Sequence, residues 1–304
     1  MTSALINGLV TQLQAGFYTV WTDEGEILCR LRGRFKKYTQ DGDVCVAGDR
    51  VDISRLDDGS GVIESIDERT KAFARMAPTA RGPSRQVMLA NPDQVLLVFA
   101  CANPEPSLRM LDRFLVITES QQIPAIIVAN KYDLVSPDQA KGMFRVYESL
   151  GYPLIFTSVK TGLHIDQLKA TLKNKISALA GPSGVGKSSL LNQVQPGLGL
   201  RIGGLKKGSG KGRHTTVVKE LLKLDEGGFV ADMPGLRTLS LWDIQSEELD
   251  GYFPELRQLV TDCQFNDCSH TDEPGCAVKR AVDEGRVDTN RYESYIRLRA
   301  GDSS

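Results

Sequence analysis

Residues Gly181-Pro182-Ser183-Gly184-Val185-Gly186-Lys187-Ser188 fit the phosphate-binding loop pattern with its full spacing. No other feature restricts the fold of this chain so strongly. Such a loop requires a strand that ends at its first glycine and a helix that begins near its lysine. The flanks supply both: the apolar run 176–180 precedes it, and Ser189-Leu190-Leu191-Asn192 opens a helix after it. Glycines let consecutive backbone N–H groups turn inward onto phosphate oxygens, and the helix N-terminus adds partial positive charge. Lys187 is then expected to reach the β- and γ-phosphates, with the Ser188 hydroxyl on Mg2+. The surrounding sequence agrees. Continuous apolar runs at 94–100 and 125–129 alternate with helical periodicity at 108–119 and 138–150. Strands buried on both faces between helices indicate an α/β domain with a mainly parallel sheet, expected over residues 93–245.

A base-recognition signal lies upstream. Asn130-Lys131-Tyr132-Asp133 ends the run 125–129, at the sheet edge where α/β folds bind ligands. A carboxylate there accepts from guanine N1–H and the exocyclic amine, donors that adenine does not present in that arrangement. Asp133 therefore selects GTP over ATP. Ser158-Val159-Lys160 follows another apolar run, 153–156, and suits a loop that supports the base. Downstream, Asp232-Met233-Pro234-Gly235 follows the apolar residues 228–231. Asp232 at a strand end can hold Mg2+ through water, and the Gly235 N–H can meet the γ-phosphate. Between lies a glycine-rich basic stretch, 201–214, followed by Thr215 and Thr216. It reads as a switch loop that brings a Thr hydroxyl, expected to be Thr216 rather than Thr215, onto Mg2+. A plain flexible linker is the alternative.

The order of these motifs is itself informative. Most small GTPases place the base motifs after the phosphate loop, whereas here Asn130–Asp133 and Ser158–Lys160 come first, which is a circular permutation. Leu236 stands where Ras-like enzymes carry a catalytic Gln, and a leucine cannot orient water. Slow intrinsic turnover is expected, with His214 the candidate catalytic group; a histidine that merely packs in its loop is the competing reading. Gly184 occupies the position at which some GTPases carry a K+-binding Asn, so K+ assistance is not supported.

Residues 1–75 carry short alternating runs at 16–22, 26–31, 51–53 and 61–66, separated by Asp/Gly turns. About five short strands suggest a small closed barrel of the OB type. Arg30, Arg32, Arg34, Lys36 and Lys37, with Phe35 and Tyr38 among them, could grip a phosphate backbone and stack bases; a solvated barrel face is the alternative. Residues 76–92, with Pro78, Gly82 and Pro83, read as a linker. Globally, 37 basic and 38 acidic side chains nearly cancel, so any nucleic-acid binding must rest on local patches. Hydrophobic content of 41% and charged content of 25% are globular values, which exclude a disordered, collagen-like or coiled-coil chain. The longest apolar run, 95–102, is far short of the ~20 residues of a membrane helix. Residues 1–10 lack the pattern of a signal peptide. A cytoplasmic protein with no membrane partner is expected, and a monomer, since no feature demands more.

The C-terminal residues 246–304 hold two helix-like stretches, 247–260 and 278–298, and a ligand cluster: Cys263-x4-Cys268-x-His270-x5-Cys276. Three thiolates and one imidazole complete a closed tetrahedral set, so a structural Zn2+ is expected.

With barrel, permuted motifs, Gly212-Arg213-His214-Thr215-Thr216, Asp232–Gly235 and cysteine module in one chain, the sequence resembles the ribosome small-subunit-dependent GTPase A family (RsgA, also called YjeQ). The resemblance covers nearly the whole chain. It implies a multi-domain protein: an N-terminal OB-fold barrel, a central circularly permuted α/β GTPase domain and a C-terminal zinc-binding helical module. It further implies GTP hydrolysis stimulated by the small (30S) ribosomal subunit, a late role in maturation of that subunit, contact with 16S rRNA, and release of assembly factors such as ribosome-binding factor A. It also supports the role of His214. Met233 departs from the family's usual Thr, but the essential groups, Asp232 and the Gly235 N–H, are kept. A nucleotide-regulated RNA-binding module with negligible catalysis is the alternative function. A small-molecule phosphotransferase would leave Asn130–Asp133, the barrel and the cysteines unexplained.

Overall fold

The computed structural model describes residues 5–35, 44–79, 82–198, 220–232 and 244–301. Strands β1 (Ile6–Gln14), β2 (Phe17–Thr22), β3 (Gly25–Leu31), β4 (Arg50–Arg55) and β5 (Gly61–Ile66) close into a barrel in the order β1-β2-β3-β5-β4. The β3–β5 pair is parallel, and the β1–β2, β2–β3, β4–β5 and β1–β4 pairs are antiparallel. Period-2 alternation sends Tyr18, Val20, Ile27, Cys29, Val51, Ile53 and Ile63 inward, as an OB-type barrel requires. A bulge between Val10 and Gln12 interrupts the register of β1, and it blurs that alternation in the sequence.

Residues 76–92, which the sequence reads as a linker, lie for the most part in paired strands. Strands β6 (Ala72–Thr79) and β7 (Gly82–Ala90) pair antiparallel along their length. The base of this hairpin is apolar, and Phe73, Met88 and Leu89 are buried in the main core. Proline had suggested a break, but the register sets Pro78 opposite Pro83 beside the turn, where a missing N–H is tolerated.

The α/β unit follows as β8 (Gln94–Ala100), α1 (Leu108–Ser120), β9 (Ala125–Asn130), α2 (Pro137–Ser149), β10 (Leu154–Phe156), α3 (Ile165–Leu172), β11 (Ile176–Ala180), α4 (Lys187–Val194), β12 (Leu222–Lys223) and β13 (Phe229–Asp232). The six strands lie in the order β10-β9-β8-β11-β13-β12, parallel except for β12. Every residue of β8 and β11 is buried, which explains why both are apolar except for Gln94 and Ser177, and Gln94 Nε2 donates to Ser177 Oγ at 2.9 Å. From β8 the chain builds outward through β9 and β10, then returns across α3 to β11 on the other side of β8. The strand order reverses there, and the crevice beyond the ends of β8 and β11 is the expected ligand site of such a sheet. Gln121, which caps the C-terminal end of α1, ties the hairpin down: its side chain accepts from Ala74 N at 2.9 Å and donates to Ala74 O at 3.2 Å.

The C-terminal module is more broken than its periodicity implies. The stretch 247–260 becomes a 3-10 turn (Ser246–Tyr252) and a four-residue α5 (Pro254–Arg257), because Pro254 can start a helix but not continue one. The stretch 278–298 divides into α6 (Ala277–Asp283) and α7 (Thr289–Arg299); Gly285 between them has φ 71°, a conformation glycine adopts without a Cβ penalty.

A buried ion network fixes this module to the sheet unit. Arg291 on α7 is 1% exposed. Its guanidinium donates to Glu255 at 2.7 and 3.1 Å and to Asp112 of α1 at 2.7 Å, and Asp112 also accepts from Tyr147 OH at 2.7 Å. Removing one partner strands the others without water. Asp112→Ala is therefore expected to destabilise the fold by about 3–5 kcal/mol, read as a lowered urea midpoint, whereas a change below about 1 kcal/mol would mean the network is solvated.

Candidate nucleotide site and metal centre

The phosphate-loop residues leave β11 at the reversal point of the sheet. Gly181 has φ 143°, and a Cβ there would lie 2.0 Å from Val98 O on β8, so only glycine allows the loop to pass this close. Val185 is buried, while Ser183 and Gly184 are exposed at the loop crest. Gly186, φ 99°, caps α4, and a Cβ on it would sit 2.5 Å from Asn130 Nδ2. Ser188 and Ser189 lie half-buried in the first turn of that helix. Lys187 Nζ donates to Gly181 O at 2.8 Å and Pro182 O at 2.9 Å, which holds the ammonium across the mouth of the loop.

The base motif meets this loop directly. Asn130, at the end of β9 and 1% exposed, donates from Nδ2 to Val185 O at 2.8 Å, and its Oδ1 accepts from Thr157 Oγ1 at 3.2 Å. Lys131 takes the left-handed conformation, φ 59°. Its Nζ bridges Gly184 O, at 2.7 Å, and Asn103 O. Asn130 and Lys131 thus brace the phosphate loop, whereas Asp133 makes no such bond to it among the described residues. Ser158 Oγ donates to Asp133 Oδ1 at 2.6 Å, and Lys160 Nζ lies 4.0 Å from Oδ2. The fully buried Ser158 therefore orients the carboxylate. Val159 packs on the cluster around α3 and α4, and the Tyr132 ring lies 5.2 Å from Phe156.

Asp232 ends β13, in register with Leu179 of β11, and its Oδ1 is buried with no hydrogen-bond partner among the described residues. Burial pushes its carboxyl above the usual carboxylate range, and the Lys187 charge partly opposes that shift. A buried, unpartnered carboxylate oxygen near Lys187 and the Ser188 turn fits a divalent cation. The raised pKa means that ionised Asp232 costs stability above its folded pKa, and that this cost declines as pH falls from that value toward the ordinary carboxylate range, below which it is gone. Asp232→Asn is accordingly expected to raise the melting temperature of the nucleotide-free protein at neutral pH, an advantage that shrinks on acidification, while it weakens Mg2+-dependent nucleotide binding. A melting temperature that falls at neutral pH would contradict this assignment. His214, Thr215, Thr216, Gly235 and Leu236 lie outside the described residues, as do Lys36, Lys37 and Tyr38.

Of the basic run on the barrel, Arg30 lies over the Phe17 ring at 4.5 Å, Arg34 over Phe35 at 5.2 Å, and Arg32 pairs with Glu64.

The four metal-ligand candidates converge. One donor atom each from Cys263, Cys268, His270 and Cys276 falls within 4.8 Å of the others. His270 Nδ1 lies 3.6 Å from Cys263 Sγ and 3.4 Å from Cys276 Sγ, while Nε2 meets Asp250 Oδ2 at 3.1 Å. That carboxylate fixes the ring with Nδ1 toward the sulfurs, the usual outer partner of a metal-binding imidazole. Backbone N–H groups of Ala277 and Lys279 point at Cys263 and Cys276 Sγ, each at 3.4 Å, and stabilise thiolate charge. Three soft sulfurs and one nitrogen, with no open position, suit one tetrahedral structural ion of the zinc type. Sequence spacing identified the four ligands but neither Asp250 nor Thr157, since no motif links such residues to the groups they orient.

Comparison with known proteins accords with this geometry. Residues 66–242 match the family model described as RsgA GTPase, and residues 7–63 match the RsgA N-terminal domain. The chain is 46% identical over 295 residues to the small ribosomal subunit biogenesis GTPase RsgA of Gemmatimonas aurantiaca, covering 96% of both chains. It is 43% identical over 291 residues to that of Moorella thermoacetica, covering 96% of this chain and 95% of the relative. Among solved structures, YjeQ from Thermotoga maritima matches with a TM-score of 0.81 at 39% identity, over 98% of this chain and 99% of that one. YloQ, described as a circularly permuted GTPase, matches with a TM-score of 0.75 at 32% identity, over 98% and 95%. The chain belongs to the RsgA GTPase family and is a circularly permuted GTP-hydrolysing enzyme.

Proposed function

We propose that this enzyme acts in biogenesis of the small ribosomal subunit, that the subunit itself stimulates its GTP hydrolysis, and that hydrolysis accompanies late maturation and release of assembly factors such as ribosome-binding factor A. The observation that carries the nucleotide part is the Ser158-oriented Asp133 carboxylate, joined to the phosphate loop through Asn130 and Lys131. Backbone N–H groups of residues 183–189 bind the phosphates, Lys187 moves from its carbonyl partners to the β- and γ-oxygens, and Asp133 accepts from guanine. Mg2+, held by Ser188, Asp232 and Thr216, neutralises phosphate charge when bound. The Gly235 N–H meets the γ-phosphate, and His214 orients the attacking water. With Leu236 in place of a Gln, unaided turnover is slow, so bound GTP acts as a timer that the subunit discharges.

Contact with 16S rRNA is supported by the barrel arginines and by the hairpin. No acidic residue occurs between Glu68 and Asp93, whereas Lys71, Arg75, Arg81 and Arg85 do, a local patch that the balanced global charge conceals. The C-terminal cysteine site holds Zn2+, and the protein works as a cytoplasmic monomer. GTP turnover measured with purified small subunits, and with large subunits as control, tests the reading. Stimulation by small subunits alone is expected. Flat turnover with GTP still bound would replace it with a nucleotide-regulated RNA binder.

A further inference from the structure

Residues 220–223 belong to two sheets at once. Leu221 N donates to Thr11 O of barrel strand β1 at 2.7 Å, and Glu220 forms an antiparallel bridge with Gln12. The two following residues are β12, which pairs antiparallel with β13 (Leu222 opposite Val230, Lys223 opposite Phe229). Leu221 is 3% exposed in the main core, and Leu9 of β1 packs against the same cluster. Lys223 completes the joint: its side chain leaves β12 for the barrel and sets Nζ 3.4 Å from the centre of the Trp21 ring on β2. The edge of β1 beyond its pairing with β4 is thus closed by the sheet unit rather than left open.

The position of this joint along the chain gives it a role. β13 runs from its pairing with Lys223 to Asp232, the carboxylate placed for Mg2+, and the segment with Thr215 and Thr216 ends four positions before Glu220. Both chain segments that the nucleotide reading assigns to the γ-phosphate and its cation therefore run through one short hairpin, and that hairpin is hydrogen-bonded to the barrel. We propose that residues 220–223 couple the nucleotide state to the barrel, with the Lys223–Trp21 cation–π contact as the latch that transmits a shift of β12 and β13 to strands β1 and β2. The proposal rests on the nucleotide site described above, and it makes the RNA-facing barrel a state-dependent arm rather than a passive anchor.

Trp21 reports on its own contact. The chain has two tryptophans, Trp21 and Trp242, so the full-length Trp242→Phe protein emits from Trp21 alone. Its emission is compared with GDP and with a non-hydrolysable GTP analogue, both with Mg2+, and occupancy is verified by calorimetry. The expected result is a different intensity or wavelength in the two states. Lys223→Met, at an exposed position that keeps side-chain length but loses the charge, is expected to shrink that difference at least threefold with both nucleotide affinities kept. Identical emission in the two occupied states, or an undiminished difference in the Lys223→Met protein, would overturn the coupling alone. Failure of either nucleotide to bind would overturn the nucleotide reading and the coupling with it. No ribosome enters the measurement, so the choice of partner is judged separately.

Discussion

Asp133→Asn is expected to lower affinity for GTP and GDP by about 10²–10⁴-fold and to create affinity for xanthine nucleotides. In the proposed site the carboxylate would accept two hydrogen bonds from guanine, and bonds to a charged group are worth about 1.5–3 kcal/mol each, so their joint loss would be about 3–6 kcal/mol. The Asn variant would also point an amide NH2 at a guanine donor. Xanthine carries a carbonyl in place of the exocyclic amine, and that oxygen accepts from the same NH2. The substitution is nearly isosteric, and Ser158 Oγ, 2.6 Å from Oδ1 in the parent, can still donate to an amide oxygen, though more weakly than to a carboxylate, so the fold is expected to survive. Calorimetric titration with both bases, beside an unchanged melting temperature, tests the assignment. Guanine affinity within about threefold of the parent, a loss of less than about 1 kcal/mol, would remove Asp133 from the base site.

Metal removal is expected to have an equally large and spatially separate effect. Structural zinc sites contribute about 10–16 kcal/mol of apparent binding energy at neutral pH, and that energy is folding energy. The module built on Cys263, Cys268, His270 and Cys276 has a small core around Leu249, Phe253, Val278 and Tyr295, to which α1 adds Val116. Without the ion, three sulfurs and a histidine remain crowded at its centre. Cys276→Ala, which also removes the cap of α6, or treatment with a strong chelator should unfold residues 246–301, seen as loss of helical dichroism and of amide protection in α6 and α7. Arg291 would leave Asp112 as α7 detaches, exposing one face of α1. GDP binding should change far less, because the phosphate loop and Asp133 are held from the sheet unit, by Asn130, Lys131 and Ser158. A metal-free protein whose α6 and α7 stay protected would show the site to be dispensable for folding.

The two halves of the nucleotide site differed in how openly the sequence displayed them. Gly181–Ser188 and Asn130–Asp133 are contiguous motifs, since each must supply several groups from one turn of backbone, and spacing alone reveals them. Asp232 was legible as a strand-end acid. Asn130 and Lys131 belong to the same GTP-binding motif as Asp133, and what the motif does not show is that their side chains brace the phosphate loop through Val185 O and Gly184 O. Such a bond joins residues more than fifty positions apart, and no local pattern encodes it. The hairpin β6–β7 was hidden for another reason. Pro78 and Pro83 signal a break, and only the antiparallel pairing puts both beside a turn where they cost little.

By itself the sequence determined the element types of the central sheet, the permuted order of the nucleotide motifs and the four metal ligands, because each depends on period, spacing or residue chemistry within a short window. The tertiary structure decided which strands are neighbours. It set Asp250 behind His270, locked Arg291 between Asp112 and Glu255, and let residues 220–223 join the barrel to the sheet. Those contacts arise where side chains far apart in the chain lose their water together, and their energies depend on burial and geometry that no linear spacing records.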